Sequence, residues 1–198
     1  MQCNRARRRI GMLTPSSNTV LEPMAVEILR GVPQVSVHVS RLRVTEISLD
    51  DAALHQFDLD AHLGAAELLA DARVDVIGWN GTSASWTGFE GDERLCADLE
   101  RAHHVAATTA VLAINELLEV LEVRRFALVS PYIGAVQRRI IGTYGDAGYE
   151  CVAERHFEER VNYAFAEIEE SRIAQAVRQV ATARPEAVVI MCTNLRSA

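Results

Sequence analysis

Four short polar segments hold most of the side chains that could do chemistry: Pro15-Ser16-Ser17-Asn18, Gly81-Thr82-Ser83-Ala84-Ser85, Ser130-Pro131-Tyr132 and Cys192-Thr193-Asn194. Their groups are hydroxyls, carboxamides and one thiol, which are hydrogen-bond donors and weak acids. A carbanion beside a carboxylate is held as an enediolate only where donors meet both oxygens. Thr82, Ser83 and Tyr132 supply such donors, and Gly81 allows close backbone approach. Cys192 lies in a polar loop, which favours chemistry; a thiol of ordinary acidity, near ~8.5, is mostly protonated at neutral pH and suits a proton donor. Singly, these residues have plainer uses. Thr and Ser after a strand cap the next helix, Asn18 and Asn162 read as turn residues, and a cysteine at a strand end packs as a small hydrophobe.

The rest of the composition narrows the chemistry. All 20 basic residues are arginine, which excludes a Schiff-base lysine, hence pyridoxal phosphate, and the phosphate-binding lysine of a Walker loop. No GxGxxG follows a strand, so the nicotinamide fingerprint is missing. Cys3, Cys96, Cys151 and Cys192 form no CxxC pair, which argues against structural zinc and a secreted disulfide framework; a reducing cytoplasm fits best, and Cys3, Cys96 and Cys151 read as structural. His103 and His104 have no carboxylate at metal-like spacing, so no metal and no cofactor are expected. The net charge of −7 gives no attraction for nucleic acid, and the Arg5 to Arg9 cluster reads as a solvated terminus. Apolar residues after it are interrupted at Thr14 to Asn18, so neither signal peptide nor membrane span is expected.

These groups must be positioned by elements read from hydrophobic spacing. Strands are expected at Arg9–Leu13, Val35–Val44, Val74–Trp79, Val105–Thr108, Phe126–Val129, Tyr149–Arg155 and Ala187–Met191. Helices are expected at Val20–Leu29, Asp51–Ala72, Asp92–Ala102, Ala110–Leu121, Val136–Tyr144 and Ala164–Ala183, the last in two pieces broken near Ser171. Leu54, Phe57, Leu63, Leu68 and Leu69 are the expected apolar face of the second helix. Alternation of strand and helix implies parallel pairing, because parallel neighbours need a crossover. The polar segments then follow the carboxyl ends of four strands, the edge at which open α/β sheets bind ligands. Residues 1–120 and 121–198 repeat the same order, so the expected architecture is α/β with two flavodoxin-like lobes whose parallel sheets face one cleft. Trp79 and Trp86 flank the first cleft loop, as core or as pocket lining.

The segment from Pro15 to Pro23 resembles the N-terminal motif of maleate cis-trans isomerases, and Gly81 to Trp86 resembles the first active-site loop of the arylmalonate decarboxylases. Ser130-Pro131-Tyr132-Ile133 is similar to the loop whose tyrosine bonds a carboxylate in both, and Cys192-Thr193-Asn194-Leu195 to the second cysteine loop. The chain is thus identified as a member of the Asp/Glu racemase superfamily. The resemblance implies substrate-carboxylate binding by Asn18 and Asn162, substrate contacts from Gly81, Thr193 and Asn194, catalytic roles for Thr82, Ser83 and Tyr132, and an acid or base role for Cys192. Family members continue past the second cysteine loop by about one helix, one strand and a closing helix, so the resemblance implies either a fragment or a C-terminal lobe short of a strand.

One departure from the family pattern bears on the reaction. Isomerases and racemases carry a cysteine where this chain has Gly81, and glycine can neither add to a double bond nor serve a second face of the α-carbon. The resemblance therefore implies a cofactor-independent enzyme acting at the carbon α to a carboxylate of a small dicarboxylic acid, arylmalonate decarboxylase-like, with one catalytic cysteine. Alternatives are a maleate isomerase-like or Asp/Glu racemase-like activity, or a non-catalytic carboxylate-binding module. The expected partner is the small carboxylic or dicarboxylic acid alone, with no nucleic acid and no membrane; homo-oligomerisation is left open.

Overall fold

The computed structural model describes residues 7–45 and 59–197. The first half runs β1 (Arg8–Pro15), α1 (Leu21–Ile28), β2 (Val35–Leu42), α2 (Leu59–Asp71), β3 (Val76–Trp79), α3 (Ala84–Thr87), α4 (Glu90–His103), β4 (Ala106–Thr109) and α5 (Ala110–Val120). The second runs β5 (Arg125–Ser130), α6 (Gly134–Asp146), β6 (Glu150–His156), α7 (Asn162–Phe165), α8 (Glu170–Ala181) and β7 (Ala187–Ile190). Every strand pair is parallel. Two sheets result, ordered β2-β1-β3-β4 and β6-β5-β7, which is the α/β architecture with two parallel sheets expected above.

Strand order decides where a crevice opens. In the first sheet β1 is flanked by β2 on one side and β3 on the other; in the second, β5 is flanked by β6 and β7. Chains leaving neighbouring strands toward opposite sides part at their carboxyl ends, leaving a crevice. The loops at those points follow β1, β3, β5 and β7, and they are the four polar segments of the sequence. β5 is buried on both faces, with Phe126, Ala127, Leu128 and Val129 inaccessible, as a central parallel strand requires.

Helix ends and faces follow local rules. The Asn18 carboxamide oxygen accepts from the Val20 and Leu21 amides, at 3.0 and 2.9 Å, satisfying two donors at the start of α1. Pro23 sits in the first turn of α1, where no amide donor is needed. Thr109 caps α5 through the Leu112 amide at 3.1 Å. On α8 the buried residues are Ile173, Ala176 and Val180, one helical stripe.

Several expected boundaries shift. On α2 the buried stripe is His62, Ala65, Ala66 and Leu69, while Leu68 is 65% exposed; it lies off the i, i+3, i+4, i+7 row that faces the sheet. The part of that helix expected before residue 59, with Leu54 and Phe57, lies outside the described residues. The break in the last helical region falls at residues 166–169, ahead of Ser171. The short α3 was not expected, because its four residues carry no periodicity; it packs against α6 and helps join the halves.

One apolar core runs through both sheets, from Leu13, Ile77 and Trp79 to Phe126, Leu128 and Val189. A charged group enters it. Asp92, in the first turn of α4, is 5% exposed, and burial raises its carboxyl from 3.8 to about 6 against the opposing hydrogen bond from Thr109. A carboxyl that binds its proton more tightly when folded loses stability as pH rises, here between about pH 4 and 6. Asp92→Asn is therefore expected to raise the unfolding free energy at pH 7.5, by at most roughly 3 kcal/mol, with the difference from the native chain vanishing below pH 4 in urea titrations. A variant less stable than the native chain at pH 7.5 would contradict this.

Candidate active site

The four loops meet. Pro15, Val44, Asn80, Gly81, Thr82, Ser83, Trp86, Tyr132, Asn162, Cys192 and Thr193 enclose one cavity between the sheets, of about 20 Å³. That is room for about one water molecule, so admitting any larger ligand requires these loops to part.

At its centre, Thr82 Oγ1 lies 2.6 Å from the Tyr132 hydroxyl, and that hydroxyl is close enough to Cys192 for the two groups to shift each other's acidity. Tyr132 is held by ring contacts with Trp86 and Phe165, centroids 5.3 and 5.5 Å away, and its amide donates to Ser130 Oγ at 3.3 Å. Burial, then the neighbouring Cys192, holds the Tyr132 phenol well above its ordinary value. It therefore stays a donor.

Cys192 follows β7 and is 9% exposed. Burial pushes its thiol up to about 12, against the pull of the Asn194 and Leu195 amides and the Tyr132 hydroxyl; the Asn194 amide lies 3.3 Å from Sγ. The ordinary thiol acidity expected from sequence is thus corrected upward. Desolvation disfavours the thiolate more than three donors favour it, and Cys192 is a neutral acid across the physiological range. Should it give up its proton, the same three donors face the sulfur.

The asparagines divide. Asn162 lines the cavity while its Nδ2 donates to Ser17 Oγ at 2.8 Å. Asn194 was expected among the substrate contacts, but its amide is committed to joining the lobes: Oδ1 accepts from the Thr19 and Val20 amides at 3.0 and 3.2 Å, and Nδ2 donates to the Asn162 carbonyl at 2.6 Å. Asn18, given a carboxylate by the resemblance, likewise caps α1 and donates to Thr193 Oγ1 at 3.2 Å, behind the cavity wall. Thr193 lines the cavity, and its hydroxyl donates to the Asn80 carbonyl at 2.7 Å. In both Asn18 and Asn194 one of the two Nδ2 protons is used in these bonds.

Sequence reasoning named the loop that begins at Pro15 but missed Val44 and Asn80 in the lining. Val44 and Asn80 stand beside strand ends, where apolar or amide residues carry no distinguishing signal. An ideal Cβ at Gly81 would lie 2.1 Å from Cζ2 of Trp79, so glycine is required there by packing as well as by backbone approach. Among the described residues no cluster of His, Cys, Asp and Glu could hold a metal ion, and no helix is long and apolar enough to cross a membrane.

Two outcomes follow from this geometry. Iodoacetamide at pH 7.5 is expected to leave Cys192 unlabelled in the native protein, with its alkylation rising steadily to beyond pH 10, as read by peptide mass spectrometry; labelling with a midpoint at pH 8 or lower would contradict the buried thiol. Asn194→Ala strands the Thr19 amide and the Asn162 carbonyl at the lobe junction, while the Val20 amide keeps Asn18 Oδ1 at 3.0 Å. It is expected to cost about 3 kcal/mol or more in denaturant unfolding, whereas an effect under ~1 kcal/mol would show that the clamp carries little.

Comparison with known proteins agrees with this arrangement. The family model described as arylmalonate decarboxylase matches residues 10–198. A maleate isomerase of Pseudomonas putida is 26% identical over 201 residues, spanning 96% of this chain and 79% of the relative. Among solved structures, a Nocardia farcinica maleate cis-trans isomerase with a covalently bound succinylcysteine intermediate superposes with a TM-score of 0.87 at 23% identity, over 96% of this chain and 80% of that one. Unliganded arylmalonate decarboxylase gives 0.74 at 20% identity, over 96% and 79%. With the family model covering nearly the whole chain and the two-sheet fold shared with both kinds of neighbour, the protein belongs to the arylmalonate decarboxylase family, the enzymes of the Asp/Glu racemase superfamily that include the maleate isomerases.

Proposed function

We propose that this enzyme decarboxylates a small substituted malonic acid without a cofactor, delivering one proton from Cys192 to one face of an enediolate. The observation that carries the reading is that one cavity brings together the hydrogen-bonded pair Thr82–Tyr132 and a single buried thiol, Cys192, pushed up to about 12. The bond from the α-carbon to one carboxylate breaks, carbon dioxide leaves, and its electron pair spreads onto the remaining carboxylate. Ser83 and backbone amides of the first loop are the donors for that charge, while Thr82 gives its one hydroxyl proton to the Tyr132 oxygen and leaves the Tyr132 proton free to point at the sulfur. The Cys192 S–H proton then goes to the α-carbon, and the thiolate left behind is met by the Tyr132 hydroxyl and the Asn194 and Leu195 amides before it regains a proton from solvent.

A thiol of this kind suits an acid better than a nucleophile. Addition to a maleate double bond needs a thiolate, which burial disfavours here, and Gly81 offers no second sulfur. The identity to maleate isomerases nevertheless supports a second reading, in which the substrate is a cis-butenedioate.

The test is a panel of malonates, maleate and amino acids with native enzyme and Cys192→Ser. Carbon dioxide release from a substituted malonate is expected with the native enzyme and is expected to fall at least ~10³-fold in Cys192→Ser, because a serine hydroxyl is a far weaker acid. Substrate affinity by calorimetry is expected to change less than ~5-fold. Conversion of maleate to fumarate with no carbon dioxide release would replace this reading by the isomerase one.

A further inference from the structure

Gly81 has a neighbour that makes its lack of a side chain a steric necessity. An ideal Cβ there would lie 2.1, 2.3 and 2.7 Å from Cζ2, Cε2 and Nε1 of Trp79, distances that no packed carbon adopts. The atoms in the way belong to a rigid ring. Trp79 closes β3, is 1% exposed, and meets the His62 ring edge-on at 4.6 Å. The indole therefore fills the space a first-loop side chain would take, on a residue that lines the reaction cavity.

We propose that Trp79 is the specificity-determining residue of the site: its indole closes the first-loop position to any side chain and so confines proton transfer to the Cys192 face. The inference rests on the decarboxylase reading but makes a claim of its own, that one-sidedness is built into the packing of β3 and not only into the glycine codon. Changing Gly81 to cysteine alone does not make a second acid, because the ring stands where the thiol must go. Making position 79 small first frees the space. A separate cavity of about 270 Å³, lined by His62, Trp79, Ser83 and Asp92 among others, lies beside the ring, so rotation of the indole into it is the competing outcome.

Two measurements on the purified full-length chain test this. In the first, thermal unfolding midpoints are compared for the native protein, Gly81→Ala, Trp79→Val and the double variant. Each single change is expected to lower the midpoint, and the double by at least ~5 °C less than the sum, since the second substitution removes the clash made by the first. In the second, Gly81→Cys is placed in native and Trp79→Val backgrounds, and a single-enantiomer α-substituted acetic acid is incubated in deuterated water. Loss of optical rotation is expected to be at least ~10-fold faster in the Trp79→Val background. Additive midpoints, or equal racemisation in both backgrounds, would overturn the assignment and indicate that the indole swings aside. Non-additive midpoints with no carbon dioxide release from any substituted malonate by the native protein would uphold the Trp79 packing and remove the decarboxylase reading instead, whereas no α-deuterium uptake in the Trp79→Val/Gly81→Cys variant would overturn the assignment.

Discussion

The structure depends on a junction of two sheets that has Asn194 at its polar centre, beside a shared apolar core and the Ser17–Asn162 and Thr82–Tyr132 hydrogen bonds. Asn194, fully buried in the last loop, takes two amides of the first lobe on its oxygen and gives a proton to a carbonyl of the second. Parallel sheets bring the carboxyl ends of their strands to one edge, but nothing in strand pairing makes two such edges face each other. The carboxamide helps hold them so by accepting from the Thr19 amide, sharing the Val20 amide with Asn18, and meeting the Asn162 carbonyl, where a buried group left unpaired costs about 1–3 kcal/mol. Asn18, Thr193 and Asn80 extend the same network around the back of the cavity.

Closing the lobes sets the electrostatics. With Cys192 shut away from water, its thiol keeps its proton far above neutral pH, and Tyr132 and Thr82 stay neutral donors aimed along one line. In a medium of low effective dielectric such donors act on developing charge without having to reorient, so the groups that pull against burial at rest face the sulfur once its proton has gone. Stability and chemistry thus share the same desolvated junction. The loops must part for substrate and come together for reaction, which places the asparagine network on the path of any opening.

Much of this was legible in the sequence because strand ends announce themselves. Apolar runs stopped by Ser16-Ser17-Asn18, Asn80-Gly81-Thr82, Pro131-Tyr132 and Thr193-Asn194 locate the crevice once the strands are known to be parallel, and the fold brings those loops around one cavity. What could not be read are properties of assembly. The carboxamides of Asn18 and Asn194 look ready for a ligand until their partners, some 175 residues away in sequence, are seen to occupy them. The acidity of Cys192 depends on burial that residue type does not encode. Leu68 looked inward because leucine is apolar, whereas the phase of the helix turns it to solvent. The Trp79 ring over Gly81 is likewise a matter of rotamer and not of spacing.

The central claim is that one protonated thiol, on one face, completes the reaction. The most direct measurement is decarboxylation of a prochiral substituted malonate in deuterated water, with the product analysed by NMR and chiral chromatography. The account predicts a single enantiomer carrying one deuterium at the α-carbon, with no further exchange as product and enzyme stand together at neutral pH. A racemic product, or continued exchange through both faces, would contradict it.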